Sequence, residues 1–250
     1  MEHFPQGLLY RSADLSGLTE QGLPQLARYV HTIIDVRSMP EVKRNGTIGP
    51  LEKTFSDAQL AEHGVVRHHV PIFKETDYSP DAIAHRHGLY KNGSDGFVEA
   101  YRGILEHCDP ALNAVLTALI HKSIRQKDRR GVLVHCSAGK DRTGILCALV
   151  LLYAGVSAEA VASEYELTSL GLADKKRAIL ESLSRPGADL GSQAQVESMM
   201  GSPKIVMLKS IAVMKAEFSG VEAIVKRSGM SEADLLVFRA YTAEQPSVKL

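Results

Sequence analysis

The run from Gly131 to Ala154 constrains this chain more than any other segment. It opens with the apolar stretch Gly131-Val-Leu-Val134 and passes through His135-Cys-Ser-Ala-Gly-Lys-Asp-Arg-Thr-Gly144. It ends in an almost unbroken apolar segment, Thr143 to Ala154, that meets Gly155. The first part reads as a short buried strand, and the last as a buried helix stopped by glycine. A strand that runs straight into a helix through a glycine-containing loop belongs to an α/β fold. The loop also has a chemical consequence. The first N–H groups of a helix have no partner within it, and the helix dipole adds partial positive charge, so a tetrahedral dianion fits there.

The rest of the chain fits the same class. Leu18 to Tyr29 predicts a short helix, interrupted by Gly22 and Pro24, that leads into a buried strand over His31-Thr-Ile-Ile-Asp-Val36. Arg37 to Asp57 reads as a long loop, Val65 to Phe73 as a second strand, and Lys74 to Gly96 as another loop. Helical spacing recurs over Phe97 to Cys108, Ala111 to Lys122 and, capped by Ser157, through Val161, Ala162 and Tyr165. Leu172 to Ser184 predicts a further helix and Arg185 to Ser192 a mobile connection. Ser202-Pro203 is expected to start a helix as cap and first-turn proline, with Met207, Ile211, Met214 and Phe218 on one face. Ser219 to Ser228 and Ser231 to Thr242 complete a helical C-terminal third. The expected architecture is a mostly parallel central sheet flanked by helices, one domain over residues 1–250, with residues 170–230 a candidate helical lid.

Composition narrows the function classes. With 29 basic and 29 acidic residues the net charge is zero, so no global field favours nucleic acid or an anionic membrane. Anion recognition must be local. The three cysteines, Cys108, Cys136 and Cys147, form neither a disulfide framework nor a metal-ligand spacing, and a reducing compartment fits them. Met1 to Tyr10 lacks the pattern of a secretory signal, and the longest apolar stretch, Ile145 to Ala154, is about half of a membrane span. The expectation is a soluble, cytoplasmic protein without metal or organic cofactor.

The loop suits a particular chemistry. Inward amides, the helix dipole and Arg142 favour a thiolate at Cys136, the form in which cysteine is nucleophilic. Arg142 offers a planar fork that holds two oxygens of a transferring phosphoryl group, which a lysine could not reproduce. Gly139 lets the loop curl and Gly144 lets the helix pack closely beneath it. Thr143 is expected to donate its hydroxyl to the sulfur, and His135 to orient the loop from below. Cys108 and Cys147, in apolar stretches, read as buried structural residues.

These residues match a family. The segment Cys136 to Thr143 resembles the Cys-x5-Arg-Ser/Thr signature of protein tyrosine and dual-specificity phosphatases. Tyr10-Arg-Ser-Ala-Asp-Leu-Ser16, Thr32-Ile-Ile-Asp-Val-Arg-Ser38 with Glu41, and Gly229-Met-Ser-Glu-Ala-Asp-Leu narrow the resemblance to the PtpB-like bacterial and fungal enzymes. The resemblance implies a phosphoric monoester hydrolase that works through a phosphocysteine on Cys136. Its substrate would be a phosphorylated protein, phosphotyrosine first, or a phosphoinositide or inositol phosphate. Ser137, Ala138, Gly139, Lys140 and Thr143 would line the phosphate, with Asp35 and Arg11 beside them. Lys140 is similar to the extra cation of 3-phosphoinositide phosphatases, or else is a solvated loop charge. The chain has no tryptophan, so the Trp-Pro-Asp form of the general acid is absent. The resemblance points to Asp141 instead, with Asp35 next, while Asp77, Asp81 and Asp95 stay open. Asp35 could equally pair with Arg37 or Arg11. A non-catalytic phosphate-binding module and a rhodanese-like sulfurtransferase are the readings from other classes.

Overall fold

Period-two alternation sorts the strand residues onto two faces. β2 (Val30–Asp35) and β4 (Gly131–His135) are buried along their whole length. Ile34, Val132 and Val134 enter a larger core, and Val30, Ile33 and Leu133 a smaller one. Burial on both faces is why these strands read as apolar runs rather than alternating ones. The computed structural model describes residues 4–43, 55–74, 88–174, 176–177 and 193–244. Among them, β1 (Leu9–Ser12) and β3 (Val66–His69) complete a four-stranded sheet of order β1-β4-β2-β3, parallel in every pairing.

Helices cover both faces. Leu23 of α1 (Gly22–Ala27) and Leu60 of α3 (Asp57–Glu62) close the smaller core; α2 (Met39–Lys43) lies between them in the chain. The larger core is built by α4 (Gly93–His107), α5 (Asp109–Ala118, continuing as a π-helical stretch to Arg125), α6 (Asp141–Tyr153) and α7 (Ala158–Glu166). After α7 come α8 (Thr168–Gly171), α9 (Gln193–Met200), α10 (Lys204–Glu217), α11 (Gly220–Arg227) and α12 (Glu232–Glu244). α6 is apolar all round and buried from Thr143 to Leu151, as a central helix must be. No helix among the described residues is long and apolar enough to cross a membrane.

The expected α/β class holds, with local differences. β1 went unrecognised because it is a half-buried edge strand of four residues, two of them polar. The loop expected over Arg37 to Asp57 contains α2 and leads into α3. Capping boxes start both helices: the backbone N–H of Ser38 donates to Glu41, and that of Glu41 to the Ser38 hydroxyl, while Ser56 and Gln59 repeat the exchange. The second strand shrinks from Val65–Phe73 to Val66–His69, since Pro71 cannot extend the ladder. Ser202 does not cap α10. Pro203 takes that position, and the Ser202 hydroxyl bonds Ser169 and the Glu166 carbonyl instead. The helix expected over Leu172 to Ser184 extends beyond the described residues, and the connection Arg185 to Ser192 lies outside them. Within the stretch read as a candidate lid, α10 contributes Val206, Met207 and Met214 to the main core.

One buried polar side chain carries a pH signature. His31 sits in β2 with no exposure, its Nε2 2.7 Å from Ser123 Oγ and its Nδ1 2.8 Å from Thr32 Oγ1. The Ser123 hydroxyl donates to the Arg130 carbonyl, so it accepts from His31 Nε2–H, and Nδ1 accepts from Thr32. This neutral tautomer is fully satisfied, and burial pushes the His31 pKa down to about 4. Between the ordinary value near 6.5 and 4 the unfolded chain binds a proton that the folded one does not, so stability falls as pH drops through that window. Urea unfolding should show a loss of about 2 kcal/mol from this group between neutral pH and pH 4, seen as a steeper pH slope in wild type than in His31→Gln. Equal slopes would contradict it.

Candidate active site

The register of the sheet brings the site together. Ser12 of β1 and Asp35 of β2 both pair with His135 of β4, and His69 of β3 pairs with Asp35. The segments leaving the carboxyl ends of all these strands therefore start side by side, the place where open α/β sheets bind ligands.

The loop from Cys136 to Lys140 is held from outside through its carbonyls. His135 Nδ1 lies 3.2 Å from the Cys136 carbonyl, and because a carbonyl only accepts, Nδ1 carries the proton. The Asp14 N–H donates to the Ser137 carbonyl at 3.3 Å. Arg11 donates to the Gly139 and Lys140 carbonyls at 2.8 and 3.3 Å while its other arm engages Glu164 at 2.9 and 3.1 Å. The Gly144 N–H reaches the Lys140 carbonyl at 2.7 Å and starts α6. Gly139 has φ +68°, and an added Cβ would lie 2.3 Å from the Ser12 carbonyl oxygen, so only glycine lets β1 approach the loop this closely.

Cys136 lies at the floor, 2% exposed. Arg142 extends its NH1 and NH2 to the two oxygens of Glu41, each at 2.6 Å, and Glu41 also accepts from the Ser137 hydroxyl at 2.7 Å. The bidentate clamp fixes the plane of the guanidinium. Glu41 had been noted only as part of a resemblance, although Ser38-Met-Pro-Glu41 is a legible capping-box pattern. Glu164, Tyr101 and Tyr165 carried no sequence signal beyond helical spacing.

The other expected residues find definite partners. Asp35 pairs with Arg37 through Nε and NH2 at 3.0 and 2.7 Å, not with Arg11. Burial alone would push its carboxyl up, but the Arg37 bonds and the neighbouring His135 and Arg37 charges hold it below the ordinary value. Burial in turn pushes His135 down, against the pull of Asp35. Lys140 is not a solvated charge: it is 3% exposed, with Nζ on the Met199 and Gly201 carbonyls and 4.5 Å from the Phe97 ring centroid. Asp141, the first residue of α6, accepts at Oδ1 from the Tyr101 hydroxyl at 2.7 Å and lies 3.4 Å from Lys140 Nζ. The expected bond from Thr143 to the sulfur is not formed; its hydroxyl is buried and meets no partner among the described residues. Burial pushes Cys108 and Cys147 up to about 12, which leaves both inert as thiols. Asp95 pairs with Lys209 on the surface, and Asp77 and Asp81 lie outside the described residues. No metal-binding cluster occurs among the described residues.

Gly139→Ala should cost about 1–3 kcal/mol of stability through backbone strain and abolish the thermal shift caused by vanadate, a tetrahedral oxyanion. Gly103→Ala, in the interior of α4 where an added Cβ meets nothing within 4 Å, should raise stability by up to about 1 kcal/mol and leave the vanadate shift unchanged. A vanadate shift that survives in the Gly139 variant would contradict this account of the loop.

Comparison with known proteins agrees with the geometry. The tyrosine phosphatase family matches residues 2–244. A tyrosine-protein phosphatase of Nostoc commune is 24% identical over 238 residues, which cover 92% of this chain and 72% of that protein. The triple specificity protein phosphatase PtpB of Mycobacterium tuberculosis is 28% identical over 181 residues, 64% of this chain and 60% of the mycobacterial protein. With a match that runs nearly end to end over a sheet, loop and arginine clamp of this kind, the chain belongs to the tyrosine phosphatase family and is a phosphatase.

Proposed function

We propose that this phosphatase hydrolyses phosphotyrosine in proteins through a phosphocysteine on Cys136. The observation that carries the reading is the Cys136–Arg142 loop, with its carbonyls braced outward and its arginine clamped by Glu41. The Cys136 thiolate attacks phosphorus in line, the bond to the tyrosine oxygen breaks, and Asp141 gives that oxygen its proton. Loop amides and Arg142 bear the charge on the equatorial oxygens, the main source of catalysis in phosphoryl transfer. Water then attacks phosphorus, its proton passes to Asp141, and the P–S bond breaks to free phosphate and the thiolate. A free thiolate nucleophile suits the reducing conditions of the cytoplasm.

Asp141 is favoured over Asp35 as the acid because Asp35 is committed to Arg37 and held ionised. Protein substrates are favoured over polyphosphorylated inositols because, among the described residues, Arg11, Arg37 and Lys140, cations next to the loop, are each already engaged. The name of the mycobacterial relative, a triple specificity protein phosphatase, supports a range wider than phosphotyrosine alone.

Turnover of p-nitrophenyl phosphate by wild type, lost by at least about a thousandfold in Cys136→Ser, should be accompanied by higher kcat/KM on phosphotyrosyl peptides than on soluble phosphatidylinositol 3-phosphate. A wild type without turnover would leave a phosphate-binding module. Faster turnover of the phosphoinositide than of every peptide would reverse the substrate assignment.

A further inference from the structure

Two buried tyrosines meet the proposed acid. Tyr101 of α4 and Tyr165 of α7 have no exposure and stand edge to face, ring centroids 6.2 Å apart. Their hydroxyls are in hydrogen-bond contact, and the Tyr101 hydroxyl reaches Asp141 Oδ1 at 2.7 Å. The Tyr165 ring is seated against the first turn of α6: a Cβ on Gly144 would lie 3.0 Å from it. The close approach expected at Gly144 therefore serves to place this ring under the acid.

Counting protons fixes the direction of the chain. Each hydroxyl has one hydrogen. Tyr101 uses its hydrogen on Asp141, so Tyr165 must donate to Tyr101. Both donors point the same way along the chain, and each strengthens the next. Burial pushes both phenols above their ordinary range, so they keep their protons while the enzyme works. Lys140 Nζ is nearest to the same Oδ1, and among the described residues no donor meets Oδ2.

We propose that Tyr101, backed by Tyr165, is a positioning residue that reserves Oδ1 of Asp141 as an acceptor and so puts the transferable proton on Oδ2. The inference rests on the reading of Asp141 as the acid. In the first step the Oδ2–H bond breaks, its proton goes to the leaving oxygen as the P–O bond breaks, and the Tyr101 hydroxyl stabilises the charge left on the carboxylate. In the second step a water proton returns to Oδ2. Tyr101 and Tyr90 on the α4 side, Tyr165 on α7 and Lys140 on the loop are titratable groups that act on or with Asp141.

The test compares phenyl phosphate, whose leaving oxygen needs the proton, with p-nitrophenyl phosphate, whose leaving oxygen needs it little. Tyr101→Phe should lower kcat about tenfold on the first and less than about threefold on the second. In an Asp141→Asn background the same change should have no further effect. Tyr165→Phe, which keeps the ring, should act in the same direction and more weakly, and it carries the test if the Tyr101 variant fails to melt cooperatively. Equal losses on both substrates, or losses that persist in the Asp141→Asn background, would make the tyrosines merely structural and overturn the inference. An Asp141→Asn enzyme as active as wild type on phenyl phosphate would remove the acid assignment and this inference with it, a separate and recognisable result.

Discussion

An anion-binding loop works only while its N–H groups stay turned inward, and a peptide cannot turn its N–H in without turning its carbonyl out. The carbonyls of Cys136, Ser137, Gly139 and Lys140 are each met from outside by His135, by the Asp14 backbone, by Arg11, and by Arg11 together with the start of α6. These partners come from β1, the turn that follows it, β4 and the helix, so the sheet holds the loop in a conformation that Gly139 makes possible. The amides are thereby preorganised, and no reorganisation is needed when charge develops on a transferring phosphoryl group. The four-residue β1, easy to overlook as an edge strand, exists to deliver two of these braces.

Charge around the loop is arranged in closed local pairs: Arg11 with Glu164, Arg37 with Asp35, and Arg142 with Glu41. Each pair is largely withdrawn from water, where an unpaired partner would be costly. Lys140 follows the same logic: its ammonium meets the Met199 and Gly201 carbonyls and lies 3.4 Å from Asp141, so a loop residue ties the end of α9 to the start of α6. A lysine that looks from its position like a substrate contact is thus also a structural tie.

The strand–loop–helix at Gly131–Ala154 was legible because it rests on local signals, apolar runs and glycines, and because Cys136 and Arg142 are fixed to each other by a short loop. The parallel sheet followed from the buried runs at Ile33-Ile34 and Val132–Val134. The partners of the site were not legible, since they depend on which strand ends lie side by side. Glu41 reaches Arg142 across 101 positions, Tyr101 reaches Asp141 across 40, and Arg11 reaches Glu164 across 153. Asp35 stays open in the sequence between an acid and a partner of Arg37 or Arg11, and only the register of β2 against β4 decides that it turns to Arg37 and His135. Thr143 shows the reverse case, where a role expected from local geometry is not realised in the arrangement of its hydroxyl.

The most direct measurement of the central claim is chemical trapping of the enzyme during turnover. Rapid acid quench of the protein with a radiolabelled phosphotyrosyl peptide, followed by digestion and mass spectrometry, should recover one phosphoryl group per chain on the peptide that contains Cys136. With radiolabelled p-nitrophenyl phosphate, whose leaving oxygen needs little help from an acid, the label should accumulate further when Asp141 is replaced by asparagine and the returning water loses its base. Label on any other residue, or steady turnover with no trapped phosphoryl group in either protein, would contradict the account.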